Sequence, residues 1–104
     1  MIDGKWHVWA ETPLGRQDSI FDLKCEEGGI MRGTVSNLAG DEVVELKKGR
    51  WDEEGNFSFR SQQVLGHLGK LGFNWEGKVD GDAISGIIKV VMGKSEYQGE
   101  RVTE

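Results

Sequence analysis

The chain has 104 residues, a length that suits one domain around one hydrophobic core. Its 18 acidic and 13 basic side chains give a net charge of -5, which repels phosphate backbones and argues against a nucleic-acid partner. The single cysteine cannot form an internal disulfide and suits a reducing compartment, and no run approaches the ~20 apolar residues of a membrane span. The N-terminal residues lack the basic and apolar stretches of a signal peptide. We therefore expect one cytoplasmic domain over residues 1–104 with no membrane association.

Apolar and polar residues alternate with a period of two along most of the chain, which is typical of strands with one buried face. In the first predicted strand Trp6, Val8 and Ala10 share one face, whereas His7 and Trp9 lie on the other. The inward residues of later strands are, in chain order, Phe21, Leu23 and Cys25; Met31, Gly33 and Val35; Phe57, Phe59 and Ser61; Leu71, Phe73, Trp75, Gly77 and Val79; and Ile84, Gly86, Ile88 and Val90.

The run over residues 43–51 does not keep a single phase. Val44 and Leu46 favour one face, whereas Val43 and Trp51 favour the other. A β-bulge inserts one extra residue and reverses the faces that follow it. A bulge near Lys47 or Lys48 would reconcile the two faces.

Turns are marked by the 16 glycines and the single proline. They are spaced about 8 to 14 residues apart, which favours a meander of short strands over βαβ units. The sequence thus predicts an all-β, up-and-down antiparallel barrel of about eight strands with no substantial helix. The predicted turns lie at 13–15, 26–29, 38–41, 52–56, 79–82 and 92–94, with a less regular connection at 65–69.

Gly4-Lys5-Trp6 at the start of the first strand and Arg101 at the end of the last resemble the Gly-x-Trp and late Arg pattern of the lipocalins and the wider calycin group. The segments 33–35, 57–59 and 77–86 look like those of short bacterial lipocalin-like domains. The resemblance implies a barrel closed at one end by the arginine packed over the tryptophan. A guanidinium on an indole face contributes about 0.5 to 2 kcal/mol.

An eight-stranded barrel is either filled by side chains or holds one small ligand. The inward glycines Gly33, Gly77 and Gly86 either admit neighbouring rings or leave a pocket, so both interpretations stay open. Buried polar groups need partners, which a ligand, waters or exposure at the barrel mouth would provide. The polar residues on or near inward positions are Gln17, Ser19, Ser61, Gln63 and Tyr97.

We predict non-enzymatic binding of a small hydrophobic molecule in the lumen. One alternative is a solid-core interaction domain, homodimeric or docked on a larger protein; another is a small-molecule enzyme using Tyr97, Arg101 or His67. The predicted ligand-binding residues are the apolar Trp6, Phe21, Phe59, Phe73, Trp75 and Tyr97 and the polar Gln63 and Arg101.

No motif predicts a catalytic centre, a metal site or a cofactor. His7 and His67 are far apart, and neither has carboxylates or thiols at metal-ligand spacing around it; a haem role for His67 is a minor alternative. Cys25 falls on an apolar face and is predicted to be a core thiol. The glycines at 66, 69 and 72 precede a strand-like run, whereas a phosphate loop needs a helix behind it.

Trp9 and Trp51 fall on the outward face in this interpretation. Exposed aromatic side chains often mark association surfaces. We therefore predict a homodimer through these two residues, with a bulge that reverses the assigned faces as the alternative.

Overall fold

The computed structural model describes residues 2–12, 15–37, 43–64, 70–91 and 93–102. It contains no helix among these residues, and so none long enough to cross a membrane. In chain order the strands are β1 (Gly4–Thr12), β2 (Gly15–Glu26), β3 (Ile30–Asn37), β4 (Val43–Glu45), β5 (Lys47–Trp51), β6 (Asn56–Val64), β7 (Lys70–Asp80), β8 (Ala83–Val90) and β9 (Gly93–Arg101).

The strands form one closed antiparallel barrel. Neighbours in the sheet are neighbours in the chain, and β9 returns beside β1 with Trp6 opposite Arg101. Both β4 and β5 pair with β3, and only Leu46 separates them, so together they occupy one of eight strand positions. The predicted all-β, up-and-down barrel of eight strands is confirmed. Of the predicted connections, 38–41 and 65–69 lie outside the described residues.

The predicted bulge lies between Lys47 and Arg50, where β5 shifts register against β6. Lys48 has a φ of 54°, the left-handed conformation that a bulged residue adopts at some cost. The extra residue reverses the faces, so Trp51 lies opposite the inward Phe57. The prediction that Trp51 faces outward is therefore wrong. Its indole packs against the core and donates from Nε1 to the carbonyl oxygen of Glu26 at 2.9 Å.

The barrel has two distinct ends. At the Trp6 end, which includes the turns after β2, β5 and β7, the N-terminal segment covers the core. Ile2 is buried there, and its carbonyl oxygen accepts a 2.9 Å hydrogen bond from Nε1 of Trp6. We call the opposite end, where β1, β3, β6 and β8 finish, the distal end.

Two glycines let β7 and β8 approach each other closely. Gly77 lies opposite Gly86, and Gly86 lies opposite Tyr97 on β9. A Cβ atom on Gly86 would overlap the carbonyl oxygen of Glu76, and one on Gly77 would overlap the hydroxyl of Tyr97. An aromatic ring laid over a strand glycine covers backbone that has no side chain of its own. At this position the inward glycines therefore admit a ring.

Candidate functional site

The centre of the lumen holds four aromatic side chains in ring contact, which we call the aromatic cluster: Phe21, Phe59, Trp75 and Tyr97. Trp6 is fully buried nearer to the Trp6 end. Phe21 lies at the middle of the cluster, with ring centroids 5.2 Å from Phe59, 4.9 Å from Trp75 and 5.9 Å from Tyr97. These three pairs are edge-to-face, the arrangement that opposes the positive edge of one ring to the negative face of another. Five of the predicted ligand-binding residues thus contact one another or the adjoining core.

Buried polar atoms in the cluster are paired within the protein. Nε1 of Trp75 donates to Oγ of Ser61 at 2.9 Å, and the Tyr97 hydroxyl donates to the carbonyl oxygen of Glu76 at 3.0 Å. Across the described part of the chain, no buried side-chain nitrogen or oxygen lacks a partner. For Ser61 and Tyr97, neighbouring residues thus supply the hydrogen-bond partners that a ligand or water was expected to provide.

The buried Tyr97 hydroxyl and the Cys25 thiol are poor candidates for acid-base chemistry at neutral pH. Burial raises the pKa of Tyr97 well above its usual range, and the nearby Glu76 acts in the same direction. Burial also raises the pKa of the Cys25 thiol to about 11, with a smaller contribution from Asp3. Both groups are therefore protonated at neutral pH. Cys25 packs against the core but is only partly buried, so it lies nearer to the surface than the predicted core thiol.

Arg101 lies at the Trp6 end, away from the middle of the cluster. Its guanidinium carbon is 4.2 Å from the ring centroid of Trp6, so the cation covers the indole face. Nη1 donates to the carbonyl oxygen of Asp3 at 2.7 Å, and Nε donates to Oδ1 of Asp82 at 3.0 Å. This arrangement ties the last strand to the N-terminal segment and to the turn between β7 and β8.

The remaining predicted binding residues lie towards the distal end. Phe73 is half-buried, opposite Ser61, with its ring centroid 6.0 Å from that of Trp75. Gln63 is on β6 opposite Leu71, and its side chain is outside the described residues. Phe73 therefore forms the distal edge of the aromatic cluster.

A charged cluster lies on the outer face of β1 and β2. His7 and Arg16 both lie against the carboxylate of Asp18, with Nε2 of His7 at 2.8 Å and Nε of Arg16 at 2.9 Å. Hydrogen bonds from Arg16 and then from His7 lower the pKa of Asp18 to about 2. Trp9 is half-buried beside them, 5.5 Å from the guanidinium of Arg16 and 5.3 Å from the ring of His7. Trp9 is thus the outward tryptophan that remains for a dimer surface.

Two open grooves also mark the outer face, and they meet at Ser85, Gly86 and Ile87. One runs past Trp9 and has a volume of about 690 Å³; the other runs past Lys78 and has about 550 Å³. Within the described ranges, no three His, Cys, Asp or Glu side chains come together as metal ligands. His67 lies outside those ranges.

The structure places one residue in the core, Ile2, that the sequence pattern did not single out. Ile2 is almost completely buried and forms the floor of the Trp6 end. The signal was present, because the even-numbered positions that hold Trp6, Val8 and Ala10 continue backwards to residue 2.

No protein-family model and no curated protein matches this chain. Among solved structures, a redesigned β-barrel superposes with a TM-score of 0.69 at 10% sequence identity, covering 99% of this chain and 92% of that one. A likeness at this identity establishes the fold and nothing about function. The chain has the architecture of a closed β-barrel.

Proposed function

We propose that this barrel binds a small apolar molecule, without catalysis, at the distal end of its lumen. The observation that carries the proposal is the partial exposure of Phe73 and Val90, apolar residues of β7 and β8 that pack against the core at that end. Inward residues deeper in the barrel, such as Phe21 and Phe59, are almost completely buried. An apolar ligand seated on Phe73 and Val90 would complete their burial.

The distal end suits a ligand better than the rest of the lumen. The aromatic cluster occupies the middle, and Ile2 and Arg101 cover the Trp6 end. Half-buried Gln17 and buried Ser19 lie on β2, which begins at the distal end and provides polar groups near it. Such a site favours a ligand with an apolar body and a small polar part.

We further propose that the barrel is lipocalin-like. The support is the relationship of Gly4-Lys5-Trp6 with Arg101, whose side chain lies over the indole as the resemblance implies. In this proposal the Trp6 end is the closed base and the distal end is the mouth.

Ligand titration tests the proposal. Fatty acids, retinoids, steroids and haem are added to the protein while tryptophan fluorescence and thermal unfolding are followed. A ligand that binds at the distal end is expected to quench Trp75, which lies next to Phe73, and to raise the melting temperature. Absence of both effects with every compound contradicts the proposal.

A pair of variants locates the site. Phe73→Ser removes an apolar wall of the proposed site, and we expect it to weaken binding about tenfold or more because of the lost apolar contact. Val43→Ser is the matched control, since Val43 is 62% exposed and begins β4 at the same end. Equal affinities of the two variants would place the ligand elsewhere.

A second candidate is a solid-core interaction barrel, which the ring contacts of the aromatic cluster favour. It predicts no ligand response and association through the outer face at Trp9. Light scattering after size exclusion distinguishes it: a dimer that Trp9→Ser dissociates supports association, and a monomer at all micromolar concentrations contradicts self-association.

A further inference from the structure

A row of four basic residues and one asparagine crosses the outer face of five strands. Strand register places Lys94 opposite Lys89, Lys89 opposite Asn74, Asn74 opposite Arg60, and Arg60 opposite Lys47. All five residues are exposed. Adjacent strands lie about 4.8 Å apart, so the row extends over roughly 19 Å. We call these five residues the basic row.

The basic row places like charges directly opposite each other at two positions, Lys89 with Lys94 and Arg60 with Lys47. Like charges in cross-strand register oppose folding. One acidic contact relieves part of this repulsion, because Oε1 of Glu76 lies 3.5 Å from Nζ of Lys89. Both side chains of that pair are about half-exposed, so screening by water leaves the contact weak.

Exposed apolar residues occur beside the basic row. Val91, in the turn between Lys89 and Lys94, is 93% exposed, and Val43 on β4 is 62% exposed. These two are the large apolar side chains most exposed within the described residues, and both lie at the distal end. The turn between β8 and β9 thus presents an aliphatic tip between two lysines.

The residue types favour a lipid surface over a protein partner. Lysine is depleted at protein–protein interfaces. Near an anionic membrane, by contrast, each lysine is attracted to the negative surface that the lipid headgroups form. An exposed aliphatic tip between such lysines can enter the boundary between headgroups and acyl chains. A nucleic-acid partner is disfavoured, because the basic row contains no aromatic residue that could stack on bases.

The net negative charge of the chain does not prevent this contact. Acidic turns at the Trp6 end, which hold Asp52, Glu53, Glu54, Asp80 and Asp82, lie at the far end of a molecule 38 Å long. Charges are screened over about 8 Å at physiological ionic strength. Glu45, Glu76 and Glu96 are nearer to the basic row, and they offset part of the charge of its four basic side chains.

We propose that the basic row, with Val91 at its end, docks the barrel onto an anionic lipid bilayer with its distal end towards the membrane. The sequence predicted no membrane association because it lacks the apolar run of a membrane-spanning segment. Peripheral binding to a membrane surface does not need such a run and depends on surface charge and exposed apolar side chains. The proposal is independent of ligand binding in the lumen.

Vesicle sedimentation tests it. The protein is mixed at low salt with vesicles of phosphatidylcholine alone or with about one third phosphatidylserine. Binding is expected only to the anionic vesicles and is expected to fall as salt is raised. The double variant Lys89→Gln/Lys94→Gln should lower the partition coefficient about 30-fold, since each lysine near an anionic surface contributes roughly fivefold.

The matched control is Lys24→Gln/Lys78→Gln, which makes the same change in net charge at exposed positions outside the basic row. It should bind nearly as well as the original protein. Equal loss in the two double variants, or no binding to anionic vesicles at low salt, overturns the proposal.

The variant Val91→Ser distinguishes binding to a bilayer from binding to other polyanions. It should weaken vesicle binding and leave any binding to RNA or polyglutamate unchanged, because only a bilayer accepts an aliphatic tip. Binding to RNA or polyglutamate without binding to anionic vesicles overturns the proposal in favour of a polyanionic partner.

Discussion

Arg101 lies over the indole of Trp6, with its guanidinium carbon 4.2 Å from the ring centroid, and so joins the last strand of the barrel to the first. The same guanidinium donates hydrogen bonds to the carbonyl oxygen of Asp3 and to the carboxylate of Asp82. One side chain therefore joins the last strand to the N-terminal segment and to the turn between β7 and β8.

Replacing Arg101 by alanine should lower the free energy of unfolding by about 2 kcal/mol, because the cation-π contact and the charged hydrogen bonds are lost together. Urea denaturation measures this loss. The control is Arg32→Ala, which removes a largely exposed ion pair with Glu26 and should have little effect. An Arg101→Ala protein with an unchanged urea midpoint would show that the barrel closes without this contact.

Gly86→Ala should destabilise the barrel by roughly 1 to 3 kcal/mol, because the added methyl group would overlap the backbone of Glu76 and force β7 and β8 apart. Thermal unfolding provides the measurement. Gly72→Ala is the matched control on β7: no atom lies within 4 Å of the added Cβ. Equal melting temperatures for the two variants would mean that the close approach at Gly86 has no energetic consequence.

Stability should fall at alkaline pH through Tyr97. Burial raises the pKa of this group above its unfolded value of 10.0, so the folded protein keeps a proton that the unfolded chain loses. The stability it contributes is complete below pH 10.0 and is lost as the pH rises above it, by up to about 1.4 kcal/mol per pH unit. Urea denaturation over this range should show a steeper decline for the original protein than for Tyr97→Phe. Parallel declines would contradict the burial of the hydroxyl.

Cys25 should react slowly with thiol reagents in the folded protein. Burial raises the pKa of its thiol to about 11, so almost no thiolate forms at neutral pH. Alkylation should be much faster in urea. An exposed comparison is Ser58→Cys in a Cys25→Ala background, since Ser58 lies on the outer face of β6. Equal rates for the two folded proteins would contradict a shielded Cys25.

Local patterns predicted much of the barrel because alternation and turn chemistry act over a few residues. In β1 and β6, strict alternation identified the buried faces of Trp6, Val8, Phe57 and Phe59. Alternation did not settle Trp51, because the face of a residue after a bulge depends on which residue lies opposite it in the neighbouring strand. The sequence narrowed the bulge to Lys47 or Lys48, and the pairing with β6 decided the face.

The candidate site was predicted as a set of residues and not as an arrangement. Six aromatic residues were expected to line one pocket; five of them form or adjoin a packed centre, and Phe73 lies at its distal edge. Spacing cannot distinguish a ring that contacts a ligand from one that contacts another ring, because both positions are inward and apolar.

By itself the sequence determined the buried faces of the regular strands and the closed barrel, since period-two alternation and glycine turns are properties of neighbouring residues. The contact of Trp6 with Arg101 was implied by the resemblance to lipocalins and not by alternation. Only the tertiary structure decided that aromatic rings contact one another at the centre, that Trp51 turns inward and that Lys47, Arg60, Lys89 and Lys94 form one row. Those relationships depend on the register of several strand pairs at once, and register is settled when the whole sheet closes.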